Sequence, residues 1–305
     1  MFVRVLGVVI LLFAVTQPSV GAEIMLTPTQ GSTCKNLEAR YESAEWRCPG
    51  PGGYFVQMSQ QDSHFAISFT LNKSERIQVQ DDLTWLSGIG RRIEWHLADG
   101  RPYAAIFEIS RLVPETGSVA VELVIAKVAP SGTCRIGTIS ARLEQAAKEA
   151  RELADSAALS FQCGRDKSTV KSLADGKHVV EDMISHNEVL DHGGSLMDLK
   201  RSDDGQVEIR YREPRAGVSV PQGTLLFQGL IDKAGKIRGT AYTFKPGCSP
   251  APYTIEGERK DGVLLLSGPA PMRGRLSCAV AGYDASSANA NLVFERDVLL
   301  SDTRE

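Results

Sequence analysis

The chain has 305 residues, of which 42% are hydrophobic and 23% charged, values of a protein that buries a core and not of a disordered chain. Acidic residues number 37 and basic residues 34, with a formal net charge of −3 and no long run of one sign, which removes the electrostatic footprint of a nucleic-acid or anionic-membrane binder. The length favours two domains over one.

The start reads Met1-Phe2-Val3-Arg4, then an almost wholly apolar run from Val5 to Val15, then Val20-Gly21-Ala22 ahead of Glu23. A basic start, a short apolar run and small residues at a cut are the parts of a secretory signal peptide, so residues 1–22 are expected to be removed after Ala22. A membrane-spanning helix needs about 20 apolar residues, and Gln17, Pro18 and Ser19 interrupt this run. Later apolar stretches are only strand-length. Even Val119–Ala129 is broken by Glu122 and Lys127, so the mature chain is expected to be soluble and without an integral membrane segment.

All six cysteines lie beyond the expected cut. An even number in an oxidising compartment argues for disulfides, and the spacing falls into three neighbouring pairs: Cys34 with Cys48, Cys134 with Cys163, and Cys248 with Cys278. Metal-binding cysteines are usually two to four residues apart or set close to histidines, which is not the pattern here.

In chain order, Pro49-Gly50-Pro51-Gly52-Gly53 reads as a tight turn beside the first disulfide. Tyr54–Ser59 and His64–Leu71 read as strands. The segments Arg92–Leu97 and Pro102–Ser110 flank Ala98-Asp99-Gly100, a hairpin signal because Asp-Gly supplies positive backbone angles at low cost. Val119–Val128 and Cys134–Ser140 make a further pair around Pro130-Ser131-Gly132. Leu143, Ala146, Ala147, Ala150, Leu153, Ala154 and Ala157 then recur at three- and four-residue intervals with charges between them, which predicts an amphipathic helix. A polar stretch follows Cys163. The expected division is a disulfide-bonded α+β domain over 23–166, a linker over 167–183, a barrel-like domain over 184–300 and a polar tail over 301–305.

The second half is strand punctuated by glycine turns. Ser195–Lys200 and Gln206–Arg212 flank Asp203-Asp204-Gly205; Thr224–Ile231 and Lys236–Phe244 flank Asp232–Gly235; Tyr253–Arg259 and Val263–Ser267 flank Lys260-Asp261-Gly262; Cys278–Tyr283 and Asn291–Arg296 follow. Short strands at regular spacing predict an antiparallel β-barrel or sandwich, with an up-and-down barrel preferred. The fold class expected for the whole is mainly β.

The run Cys34, Trp46-Arg47-Cys48-Pro49-Gly50, Gly52-Gly53-Tyr54, Ile93-Glu94-Trp95 and Thr133-Cys134-Arg135-Ile136-Gly137 resembles the N-terminal part of secreted two-domain proteins of rhizobial-type alphaproteobacteria. In the second half, His192-Gly193-Gly194-Ser195-Leu196-Met197, Pro221-Gln222-Gly223-Thr224 and Phe244–Tyr253 are similar to a β-rich module of such bacteria. These motifs are cysteine, aromatic and turn residues. The resemblance implies a Gram-negative periplasm or secretion; it brings no known function and no catalytic residue.

Residues that carry chemistry are few. His186 and His192 lie six apart, whereas the metalloprotease pattern sets two histidines four apart on one helix face, so they read as surface-loop histidines. Ser195 follows two glycines but lacks the second flanking glycine of a hydrolase elbow, and reads as a strand start. Pro49–Gly53 lacks the Lys-Ser or Lys-Thr that cradles phosphate. Trp95 and Phe107 read as core by alternation, and Trp85 is the candidate partner-binding residue because it could sit on an exposed loop. No catalytic residue, metal ligand or cofactor is expected. The leading expectation is a non-catalytic periplasmic binding or envelope-interaction protein for a protein, peptide or glycan. A periplasmic hydrolase using carboxylates and an inhibitor of a cell-wall lytic enzyme are the alternatives, and the sequence leans away from an enzyme.

Overall fold

The structure is a computed structural model that describes residues 23–39, 43–61, 64–71, 86, 88–113, 118–130, 133–172, 184, 186–215, 217–260, 262–274 and 277–301. The expected signal segment and Trp85 lie outside the described residues.

The first half runs β1 (Glu23–Pro28), β2 (Lys35–Ala39), β3 (Ser43–Pro49), β4 (Phe55–Gln61), β5 (His64–Thr70), β6 (Gly88–Ala98), β7 (Arg101–Val113), β8 (Ser118–Lys127), β9 (Cys134–Ser140), α1 (Ala146–Ala157) and β10 (Thr169–Lys171). One sheet has the order β1-β6-β7-β8-β9-β10 and a second has the order β2-β3-β4-β5. Every pairing is antiparallel except β9 with β10. Asp99 (φ 51°) and Gly100 (φ 71°) close the expected hairpin between β6 and β7.

Alternation along the strands divides the side chains between two layers. On β7, Ala105, Phe107 and Ile109 face the small sheet and pack with Trp95, Phe69 and Val124, while Ala104 and Ile106 face α1 with Leu123 and Ile125. The helix buries Ala146, Ala147, Ala150 and Ala154, a face without bulk that lets it lie close to the sheet. At Gly137 on β9 a Cβ would come within 2.6 Å of Leu153 Cδ2, so glycine is required for that approach. The helix begins at Ala146; Leu143, expected within it, is buried in the preceding turn.

The second half runs β11 (Asn187–His192), β12 (Ser195–Arg201), β13 (Gln206–Glu213), β14 (Leu225–Ile231), β15 (Lys236–Thr243), β16 (Ala251–Lys260), β17 (Val263–Ser267), β18 (Ala270–Arg273), β19 (Val280–Asp284), β20 (Asn291–Arg296) and the one-turn α2 (Val298–Ser301). Strands β11 to β17 and β20 form a closed antiparallel barrel of successive neighbours. Its interior is filled by its own side chains, including Met197, Ile209, Phe227, Tyr253, Leu264 and Phe294, as expected for eight strands. The Phe227 ring lies across Gly229 and Gly239, where added Cβ atoms would meet Phe227 Cζ at 2.6 and 2.8 Å.

Several expectations are corrected. Cys278–Tyr283 is not a barrel strand, since β19 pairs only with β18 in a side hairpin. The eighth barrel strand is β11, in the segment read as a loop around His186 and His192. Its Glu188 and Asp191 are buried and charged, which hides the strand pattern. Glu188 takes both Nη groups of Arg259 at 3.0 and 2.6 Å. The strand β10 lies within the stretch 167–183 expected as linker, and Ser301, placed in the tail, ends α2 with its Oγ bonded to Val189 N and O at 3.1 Å. All three disulfides form as expected: Cys34–Cys48, Cys134–Cys163 and Cys248–Cys278.

The two halves meet along one seam. Arg91 pairs with Asp191 at 2.9 Å and Arg92 with Asp297 at 2.9 Å, Arg151 Nη2 donates to Leu299 O at 2.7 Å, and Val298 and Leu299 join the core beneath α1. On the barrel side this seam is where β11 meets β20 through only the pairs Leu190↔Arg296 and Asp191↔Glu295.

Candidate functional site

A cleft of about 330 Å³ opens at this seam, lined by Gly88, Gly90, Arg91, Arg92, Glu108 and Ser110 from the sheet and by Asp191, Glu295, Arg296 and Asp297 from the barrel side. Its floor exists because glycine alternates on β6. An added Cβ would lie 2.6 Å from Ser110 Oγ at Gly88 and 2.7 Å from Glu108 Cβ at Gly90, so ordinary side chains at both positions would occupy the space.

The acidic groups fall into two kinds. Asp297 is committed: it accepts from Arg92 Nε at 2.9 Å and from Leu300 N at 3.1 Å at the start of α2. Asp191 is committed likewise, to Arg91 at 2.9 Å and to Gly194 N at 3.1 Å. Glu108 and Glu295 make no hydrogen bond or ion pair among the described residues. Burial first, then the charges of Asp297 and Glu295, push the Glu108 carboxyl up to about 8 against the pull of Arg296. Glu108 therefore carries its proton at neutral pH, an acid that can donate a hydrogen bond into the cleft.

A second titratable cluster lies under α1 and is closed. His96, fully buried, holds Glu94 Oε1 at 3.1 Å on Nε2 and Asp155 Oδ1 at 2.6 Å on Nδ1. Arg151 grips both oxygens of Glu94 at 2.8 Å, and Tyr103 donates to Asp155 at 2.7 Å. Burial opposes both charges. The hydrogen bonds from His96 and Arg151 outweigh it and lower Glu94, and those to Glu94 and Asp155 raise His96. With both ring nitrogens taken, the imidazolium is a structural cation and not a base.

The residues singled out from sequence do not meet in the cleft. His186 is exposed and pairs with Asp203 at 2.8 Å. His192 closes β11, packs on Phe294 at 4.7 Å, donates from Nδ1 to Val293 O at 2.8 Å, and is lowered by burial, so it is not a loop histidine. Ser195 starts β12 and its Oγ accepts from Arg215 N at 3.1 Å. Trp95 and Phe107 are core, as expected. Among the described residues no three His, Cys, Asp or Glu side chains are grouped to hold a metal ion. A larger groove of about 590 Å³ runs over the outer barrel wall, but its charges pair in solvent, as Arg238 with Glu256 at 3.2 Å. The cleft residues went unread because they come from four distant stretches; the legible signal was Gly88-Ile89-Gly90 followed by two arginines.

Protein-family models, curated proteins and solved structures give no match to this chain.

Proposed function

We propose that the protein is a non-catalytic binding protein of the Gram-negative periplasm, holding a small polar ligand such as an envelope glycan or peptide fragment in the cleft between the sheet and the barrel. Three disulfides fit an oxidising compartment. Among the described residues no helix is long and apolar enough to cross a membrane. The observation that carries the reading is a polar cavity at a domain junction, floored by glycine and walled by two glutamates whose side chains make no hydrogen bond among the described residues.

The test is titration of the purified protein with peptidoglycan and oligosaccharide fragments, followed by thermal shift and by mass spectrometry of the ligand. Saturable stabilisation with the ligand recovered intact, lost when Gly88→Val fills the floor, is the expected result. A second reading, a carboxylate hydrolase, draws on the same pair, since a protonated Glu108 facing Glu295 sets an acid against a carboxylate. Cleavage products abolished by Glu108→Gln would establish it and remove the non-catalytic reading.

A further inference from the structure

The sheet edges of the first half differ in how they are closed. At one edge of the small sheet β2 carries Lys35 and a register shift against β3, and at the other Phe65 of β5 exchanges backbone hydrogen bonds with Leu86 at 2.8 and 3.1 Å. The large sheet ends on one side in β10, three residues long and closed by Lys171. Charge, irregular register and shortness are the usual guards of an edge strand. Its other edge, β1, has none of them between Ile24 and Thr27: the register with β6 is unbroken, no residue is charged, and Ile24, Met25 and Leu26 are 48%, 39% and 40% exposed.

The backbone groups of β1 are assigned by parity. Thr29 N donates to Arg91 O at 2.9 Å, one step beyond the pair Pro28↔Arg92. Alternate residues of an antiparallel ladder bond to the neighbouring strand, so Glu23, Met25 and Thr27 turn their backbone groups to β6, and Ile24, Leu26 and Pro28 turn theirs outward. Among the described residues β1 pairs with β6 alone. Ile24 and Leu26 therefore present two N–H donors and two C=O acceptors along an apolar edge, and Pro28 has no N–H to give. Their side chains stand on the α1 face, opposite His96 and Glu94, and that of Met25 on the other face, opposite Trp95.

We propose that β1 is a self-association edge, on which β1 of a second copy of this chain adds antiparallel about a two-fold axis through Met25. The edge itself selects this occupant. A two-fold axis perpendicular to the sheet makes the contact isologous and keeps like faces together. With the axis at Met25, Ile24 meets Leu26 of the second copy in both directions, so each copy's two donors meet the other's two acceptors and the four apolar side chains pair on one face. With the axis at Leu26, Ile24 would meet Pro28, and its carbonyl would find no donor. No charge opposes the approach, because Glu23 falls opposite Thr27. The large sheet then runs on through two molecules. The paired stretch is short, below the roughly 1,200 Å² of stable interfaces, so the contact is a weak one, dissociating at about micromolar concentration or above. The inference is independent of the cleft.

The test is sedimentation equilibrium of the purified protein from about 1 µM to about 1 mM, repeated for Leu26→Pro and Leu26→Lys. Proline removes a donor that the fold does not use, at an edge position where strands accept it, and lysine sets a charge in the paired face; circular dichroism and thermal unfolding verify that both variants fold. Expected are a monomer–dimer equilibrium in the native chain and a dissociation constant raised roughly tenfold or more in both variants. Two single cysteines read the register. With the axis at Met25, the two copies of residue 25 form a non-hydrogen-bonded pair with Cα atoms about 4.5 Å apart, within disulfide reach. Met25→Cys is therefore expected to cross-link two chains under mild oxidation, while Leu26→Cys, which faces residue 24, does not. A chain that stays monomeric throughout overturns the inference, as does a dimer unchanged in both variants or cross-linking through Leu26→Cys in place of Met25→Cys. If the monomer instead takes up a labelled peptide of alternating valine and threonine, and Leu26→Pro blocks it, the edge serves a partner's strand and the second copy is overturned. None of these outcomes touches the cleft, which Gly88→Val tests separately.

Discussion

Glu94 and Glu108 stand on neighbouring strands of one sheet and on the same face: Glu94 pairs with Ile106, and Glu108 lies two residues further along β7. One is held below the ordinary carboxylate range and the other is pushed up to about 8. Glu94 is buried and Glu108 half-buried, so burial alone would not lower the first and raise the second. What separates them is whether partners are complete. Glu94 meets a guanidinium across two oxygens and an imidazolium, whereas Glu108 meets a barrel edge where the pull of Arg296 is outweighed by burial and by the charges of Asp297 and Glu295. A satisfied charge marks architecture; an unsatisfied one beside a cavity marks a site.

The sharpest way to break this comparison is one substitution made twice. Glu94→Gln takes the anion from between Arg151 and His96, leaving two buried cations facing a neutral amide, and is expected to destabilise by roughly 3–5 kcal/mol. Glu108→Gln replaces an acid that folding forces to keep its proton, and is expected to stabilise by about 1–3 kcal/mol at pH 7–8. Urea unfolding of the two variants measures both. A shared sign would mean that partner completion does not distinguish the two glutamates.

The pH dependence follows from the same three groups. Glu108 has a raised folded value, so the folded state holds a proton that the unfolded state releases, and stability falls as pH rises from the ordinary carboxylate range to about 8. Glu94, lowered, contributes above the ordinary carboxylate value, and that contribution is lost as pH falls through its folded value. His96, raised, contributes below the ordinary histidine value and fades as pH rises through its folded value. Thermal stability is therefore expected to peak within the ordinary carboxylate range, at about pH 4–5, and Glu108→Gln should flatten the alkaline limb. A wild-type maximum above pH 8 would contradict the protonation of Glu108.

Filling the floor tests the cavity without touching a charge. Gly90→Ala sets a methyl 2.7 Å from Glu108 Cβ and 3.3 Å from its carbonyl oxygen, so β7 must yield, at about 1–2 kcal/mol. The same variant should weaken ligand binding, whereas alanine at the open turn glycine Gly223, which has nothing within 4 Å, should leave binding unchanged.

Reading from sequence reached what local spacing encodes. Asp99-Gly100 and Asp204-Gly205 make tight turns, the alanines of α1 recur at helical intervals, and each cysteine pair closes inside its own structural unit. It missed β11 because a strand that buries Glu188 on one face and Asp191 on the other makes sense only beside Arg259 and Arg91, far away in the chain. It missed β1, which is mostly exposed, and β3, whose burial is mostly partial and whose apolar alternation is weak. The cleft was beyond its reach: Arg92 and Asp297 are 205 residues apart. No spacing rule links them until the barrel closes and α2 folds back onto the sheet.

The smallest effect probes the edge of the closed cluster. Tyr103→Phe deletes the donor to Asp155 Oδ1 at 2.7 Å, but the Asp155 side chain is 48% exposed, so water replaces the lost bond at a cost of about 0.5–1 kcal/mol. His96 keeps both carboxylate partners, so its ring should remain an imidazolium by nitrogen NMR at neutral pH. Loss of that signature, or destabilisation matching that of Glu94→Gln, would show that Tyr103 completes the charge set and that the cluster cannot be divided into an essential inner pair and a replaceable rim. A small cost with the imidazolium intact would place the decisive partners of His96 at Glu94 and Asp155, and would leave standing the contrast with Glu108, whose carboxyl has no such partners among the described residues.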